Sequence, residues 1–133
     1  MTLQEKYEHW LDIAQYDLET AKSMLLSGRW LYVVFMCQQA VEKLSKGLYT
    51  LYVDDNIPRI HNINTIVEYF DDKLPVAIPE EKIDFFNTLS AYYLNNRYPD
   101  FVGKLSSQID EAEATKILSQ TEEVFSWLLT LKP

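Results

Sequence analysis

Apolar residues recur along most of this chain at spacings of three and four, the period of an amphipathic helix. From Leu3 to Leu26 they are Leu3, Tyr7, Trp10, Leu11, Ala14, Leu18, Ala21 and Leu25. At about 100° per residue these positions fall in one narrow arc. Gly28 supplies a stop, and a second helix is expected from Arg29 or Trp30 to about Val53, with Val33, Cys37, Ala40, Val41, Leu44, Leu48 and Leu51 on its core arc. Two long helices joined by so tight a turn form an antiparallel hairpin. Asp54-Asp55-Asn56-Ile57-Pro58 breaks the second one. A short third helix follows His61, capped by Asn62 or Asn64 and covering Ile66 to Asp72. Leu74 to Pro79 is a connector, and a fourth helix runs from Glu80-Glu81 to about Asn96 before Pro99. Residues 100–108 read as loop. A last helix from Asp110 to about Leu131 turns Ala114, Ile117, Leu118, Thr121, Phe125 and Leu128 inward.

The pattern gives an all-α fold and one helical domain over residues 1–133, with no repeat and no interdomain linker. Composition agrees. The chain is 47% hydrophobic and has three glycines, which suits a packed helical domain and argues against a many-turned β-sandwich. Cys37 is the one cysteine and lies in an apolar helical stretch, which fits a reducing compartment. The first residues hold neither a basic region nor a long apolar run, and no stretch reaches the ~20 apolar residues of a membrane span. The expected location is cytoplasmic, without membrane association.

Two faces exceed the needs of a single core. Phe35 and Tyr49 lie opposite the core arc of the second helix, in a stripe with Gln39, Glu42 and Lys46 and with Lys43 at its margin. They either cover a neighbouring loop or short helix or form a binding surface. Ile83, Phe85, Phe86, Leu89, Tyr92, Tyr93 and Leu94 span more than half of the fourth helix, whereas one core needs a stripe of roughly 100°. A homodimer interface would bury the remainder.

The formal charge is -8, which disfavours general binding to duplex DNA. Residues 29–61 nevertheless carry +1, so an anionic ligand would approach the second helix and the loop leading to His61. Neither histidine has a second histidine or cysteine at metal-ligand spacing, no glycine-rich phosphate loop is present, and no Gly-x-Ser-x-Gly elbow occurs. No metal site and no cofactor are expected. Two polar clusters remain: Arg59-Ile60-His61-Asn62, and Tyr92 to Asp100 with Arg97 flanked by tyrosines. A guanidinium among aromatic rings suits phosphate and a stacked base, though helix capping and simple ion pairing account for the same residues.

In order, Asp17 to Lys22, Leu25 to Trp30, the run Cys37-Gln38-Gln39-Ala40-Val41-Glu42-Lys43-Leu44-Ser45-Lys46-Gly47-Leu48, His61 and Arg97-Tyr98-Pro99-Asp100 resemble the HEPN family (higher eukaryotes and prokaryotes nucleotide-binding), over about residues 5–130. The resemblance implies an up-and-down four-helix bundle with an additional short helix. It also implies a homodimer and, for the small stand-alone prokaryotic type, a toxin–antitoxin-like pairing with a minimal nucleotidyltransferase. Many members are metal-independent RNases that use an arginine, a polar residue and a histidine a few positions on. Here no histidine follows Arg97 at that spacing. The expectation is therefore a non-catalytic or weakly catalytic protein that binds nucleotide or RNA phosphate, with Arg97, Tyr98, Asp100, Lys43, Lys46, Gln39 and His61 as site residues. Arg97 would meet phosphate, Tyr98 would stack or hydrogen-bond through its hydroxyl, and Asp100 would orient the arginine. The alternatives are an RNA-cleaving toxin using Arg97, Asp100 and His61, and an adaptor that contacts only protein.

Overall fold

A hairpin of two long helices forms the frame of the molecule. The computed structural model describes residues 1–93 and 108–133. Helix α1 spans Leu3–Leu26, with Thr2 as N-cap, its hydroxyl accepting from the Glu5 amide at 3.1 Å. The chain reverses at Gly28, the one described residue with positive φ, at 75°. Arg29 N donates to Met24 O at 2.9 Å and Gly28 N to Leu25 O at 3.3 Å, which is the paired bonding of a Schellman turn. Helix α2 follows over Trp30–Tyr52 and runs back along α1. The two approach closely at Gly47, where an added Cβ would stand 3.1 Å from the Trp10 Cβ and 3.2 Å from the Tyr7 ring.

Helix α2 is the centre of the fold, packed by α1 and, among the described residues, by each later α-helix. Val33, Cys37, Ala40, Val41, Leu44 and Leu48 are fully buried on its expected core arc. The face expected to be polar is buried too: Gln38, Glu42, Ser45, Lys46, Tyr49 and Thr50 are all below a tenth exposed. The cause is a second layer laid over that face. Helix α3 covers Ile63–Glu68 and sets Ile63, Ile66 and Val67 inward, and a 3-10 turn follows at Asp71–Lys73. Tyr49 packs edge-on against Tyr69 with ring centroids 5.6 Å apart, so it serves as cover for the short helix.

Asn62 caps α3 through its side chain, which accepts from Thr65 N at 3.1 Å; the helix therefore starts three residues earlier than the apolar pattern predicts. Helix α4, Glu80–Ser90, is shorter than expected. Its end tightens into i→i+3 bonds from Tyr92 N to Leu89 O and Tyr93 N to Ser90 O, which brings Tyr93 onto His61. The apolar residues from Ile83 to Tyr93 thus do not share one helix. Phe85, Phe86 and Leu89 are buried within this chain, while Ile83 stays 38% exposed. Leu3, expected in the core, is exposed.

Helix α5, Glu111–Leu129, is capped by Asp110, whose carboxylate accepts from Glu113 N at 2.8 Å. All six of its expected inward residues are buried. Among the described residues there is no strand, and no helix is long and apolar enough to cross a membrane. The result is a helical bundle with α2 inside and α3 as its additional short helix.

Candidate functional site

The buried polar face of α2 and the loop before α3 meet at His61. Gln38, Glu42 and Lys46 stand one helical turn apart, so their side chains can reach one another along the helix. Gln38 Nε2 donates to Glu42 Oε1 at 2.9 Å, and Lys46 Nζ lies 3.0 Å from Glu42 Oε2. From the loop, His61 Nδ1 reaches both carboxylate oxygens, at 3.2 and 3.3 Å. Glu42 is 3% exposed, and a bare carboxylate at that depth would be costly. Three donors and one opposite charge offset the cost.

The same contacts hold His61 in place. Its carbonyl accepts a second bond from Gln38 Nε2 at 3.1 Å, and its ring stacks on Tyr93 with centroids 4.0 Å apart and planes 10° from parallel. Phe35 backs Tyr93 at 6.4 Å. The histidine is thereby fixed through its backbone, through Nδ1 and through one ring face, yet 46% of its side chain remains exposed. Nε2 has no partner among the described residues. With Nδ1–H on the carboxylate, Nε2 accepts a hydrogen bond; in the imidazolium form both nitrogens donate. The arrangement can exchange a proton with a ligand, or hydrogen-bond its phosphate, beside an aromatic surface.

The other site residues named from the sequence divide into three groups. Gln39 joins the cluster indirectly, donating to Gln38 Oε1 at 2.8 Å. Lys46 belongs to it but is buried against Glu42. Lys43, at the margin of the same stripe, pairs instead with Asp17 Oδ2 of α1 at 2.6 Å, with about a quarter of its side chain exposed. Arg97, Tyr98 and Asp100 lie outside the described residues.

Sequence reasoning passed over Glu42, Gln38, Asp17 and Tyr93 as site residues. Two signals were present. Asp17 sits on the core arc of α1 between Ala14 and Ala21, where an acid needs a cation opposite. The i, i+4, i+8 series Gln38, Glu42, Lys46 carries its own donor and acceptor complement.

Elsewhere the chemistry is structural. Cys37 is fully buried, and that burial pushes its thiol up to about 12, far from the range of a reactive thiolate. Among the described residues no three His, Cys, Asp or Glu side chains come together to hold a metal ion.

Comparison with known proteins follows the same outline. The sequence model of the HEPN domain family matches residues 7–131. A crystal structure of TT1696 from Thermus thermophilus superposes with a TM-score of 0.80 at 23% identity, covering 94% of this chain and 97% of that one. The structure of ST0689, described as an archaeal HEPN homologue, gives 0.74 at 23% identity, covering 96% and 98%. At that identity the likeness is one of fold. No curated protein matches the chain.

Proposed function

The chain belongs to the HEPN domain family, and on that premise we propose that it is a homodimeric binder of nucleotide or RNA phosphate, paired with a minimal nucleotidyltransferase in a toxin–antitoxin-like system. The observation that carries this reading is His61: half-exposed, anchored at Nδ1 by a buried carboxylate and stacked on Tyr93. A histidine needed only as packing would be covered, whereas 46% of this side chain is exposed. On this reading His61 in its imidazolium form donates Nε2–H to a phosphate oxygen, and the neighbouring rings receive the base. Arg97, four residues after Tyr93 in sequence, is assigned to phosphate as well, with Tyr98 and Asp100 following it in sequence. Lys43, with part of its side chain exposed, adds positive potential; Lys46 serves to neutralise Glu42.

Titration calorimetry with ATP and with a short oligoribonucleotide tests the reading. His61→Ala and Arg97→Ala should each weaken binding while far-ultraviolet circular dichroism stays unchanged. Unaltered affinity in both removes the site assignment. Sedimentation velocity checks the dimer, and co-purification with a nucleotidyltransferase encoded alongside checks the pairing.

One observation favours a second reading. A carboxylate on Nδ1 is how acid–base imidazoles are oriented, so the Glu42–His61 pair also suits RNA cleavage with Arg97 and Asp100. RNA cut in the presence of EDTA, and left intact by His61→Ala, would select that reading over binding alone.

A further inference from the structure

On the surface formed by α3, the 3-10 turn and α4 lies an open groove of about 400 Å³. It shares no residue with the His61 cluster. Its wall is apolar: Val67 forms its inner side, and Ala77, Ile78 and Ile83 continue it outward. Ile83 is 38% exposed, and Val76, next to Ala77 in sequence, is half exposed. Isolated apolar residues on a surface are ordinary, but several gathered around one concavity are characteristic of a contact surface.

The rim has the opposite character. Glu68, Asp71 and Asp72 line the groove, and among the described residues none of them pairs with a cation. Residues 64–87 carry a net -4, half of the charge of the whole chain. The two lysines of this stretch are turned elsewhere: Lys73 Nζ donates to Tyr52 O at 3.4 Å, and Lys82 Nζ sits 5.1 Å over the Trp127 ring. A nearby base that could have satisfied the acids is in each case directed at another group. The wall itself is firm, since Asn64 Nδ2 bridges from α3 to both Ile83 O and Asn87 Oδ1 of α4 at 3.0 and 2.8 Å.

We propose that this groove docks a basic amphipathic segment of a partner protein, its apolar side chain seated against Val67 and Ile83 and its lysines or arginines on Glu68, Asp71 and Asp72. The charge decides the occupant: nucleic acid and anionic membrane are repelled by the rim, and a second copy of so acidic a chain brings like charge to it. Apolar contact supplies affinity, and the carboxylates supply selection against acidic segments.

The test is fluorescence anisotropy at physiological ionic strength with a short labelled amphipathic peptide of leucine and lysine, and with its glutamate-for-lysine counterpart. The lysine peptide should bind and the glutamate peptide should not. Asp71→Asn/Asp72→Asn should weaken binding about threefold to tenfold, the scale of two exposed ion pairs, and Ile83→Ser should weaken it by a similar factor. Glu122→Gln/Glu123→Gln, which removes the same charge from exposed positions on α5, should leave affinity within about twofold. Thermal melts confirm that each variant is folded. No binding of the lysine peptide, equal losses in the two double variants, or full affinity in Ile83→Ser would each overturn the proposal.

Discussion

Lys43 Nζ lies 2.6 Å from Asp17 Oδ2, and the pair joins the middle of α1 to the middle of α2. Asp17 is the more deeply placed partner, with 9% of its side chain exposed against 24% for Lys43. Removing the lysine alone strands a buried carboxylate, whereas removing both charges leaves no buried charge unpaired. Lys43→Met should therefore cost about 1–3 kcal/mol in urea denaturation, and Asp17→Asn/Lys43→Met should recover much of it. Additive losses in the double variant would mean that the two residues act separately.

Glu42 holds the polar cluster together. Glu42→Gln leaves the Lys46 ammonium buried without a counter-charge and removes the anchor of His61 Nδ1. A loss of about 3–5 kcal/mol is expected from breaking a pair at that depth, with Glu42→Gln/Lys46→Met more stable than the single variant. The imidazole signals of His61 in two-dimensional NMR should shift in the same variant, which a purely global loss of stability would not produce.

Alkaline pH should destabilise the fold. The Cys37 thiol, pushed up to about 12 by burial, ionises in the unfolded chain near about 8.5. A group whose folded value is raised contributes stability that is complete below its unfolded value and is lost as pH rises toward the folded one. Burial raises the Tyr7 phenol as well, in the same direction. Stability should thus fall between about pH 9 and 12, less steeply in Cys37→Ala. The native thiol should also resist aromatic disulfide reagents at pH 8 and react once denaturant is added. Fast reaction of the native thiol would contradict its placement.

Two glycines are constrained for different reasons. Gly28→Ala puts a Cβ on a residue with φ of 75° and should cost about 1–2 kcal/mol, with Gly28→Asn milder. At Gly47 the backbone is helical and the obstacle is the packed partner, Tyr7 and Trp10. Gly47→Val should cost about 1–3 kcal/mol from overpacking, and thermal denaturation should recover part of it when the Tyr7 ring is trimmed to Leu. No such rescue is available for Gly28.

The frame of the molecule was legible because its signals are local. Gly28 ends α1, while Asn62 and Asp110 cap α3 and α5 from side chains that meet their own backbone. The interior of α2 was half legible. Its aliphatic arc reads directly, but Glu42, Ser45, Lys46 and Thr50 look like a solvated face until α3 and α4 are laid over them. A periodic pattern reports one partner well and two partners poorly, because charges that neutralise each other can be buried without any apolar signature. The end of α4 is hidden for a similar reason: the aromatic run continues past Ser90, and only the stacking of Tyr93 on His61 shows where the backbone turns. Of the expected site, His61, Gln39, Lys43 and Lys46 can be placed; Glu42 and Gln38 organise the first two and Lys46, and Asp17 holds Lys43, roles that a pattern of residue types does not display.

The chain of Gln38, Glu42 and Lys46 along α2 also restricts how that helix can sit. Aliphatic ridges are nearly self-similar from one turn to the next, so a wholly greasy helix could slip by about 5.4 Å and still be covered. Here such a slip would carry Gln38 away from the His61 carbonyl and leave the Glu42 carboxylate facing hydrocarbon. The polar string works as a vernier: it singles out one axial setting of α2 and, with it, the position at which the imidazole of His61 meets the outside.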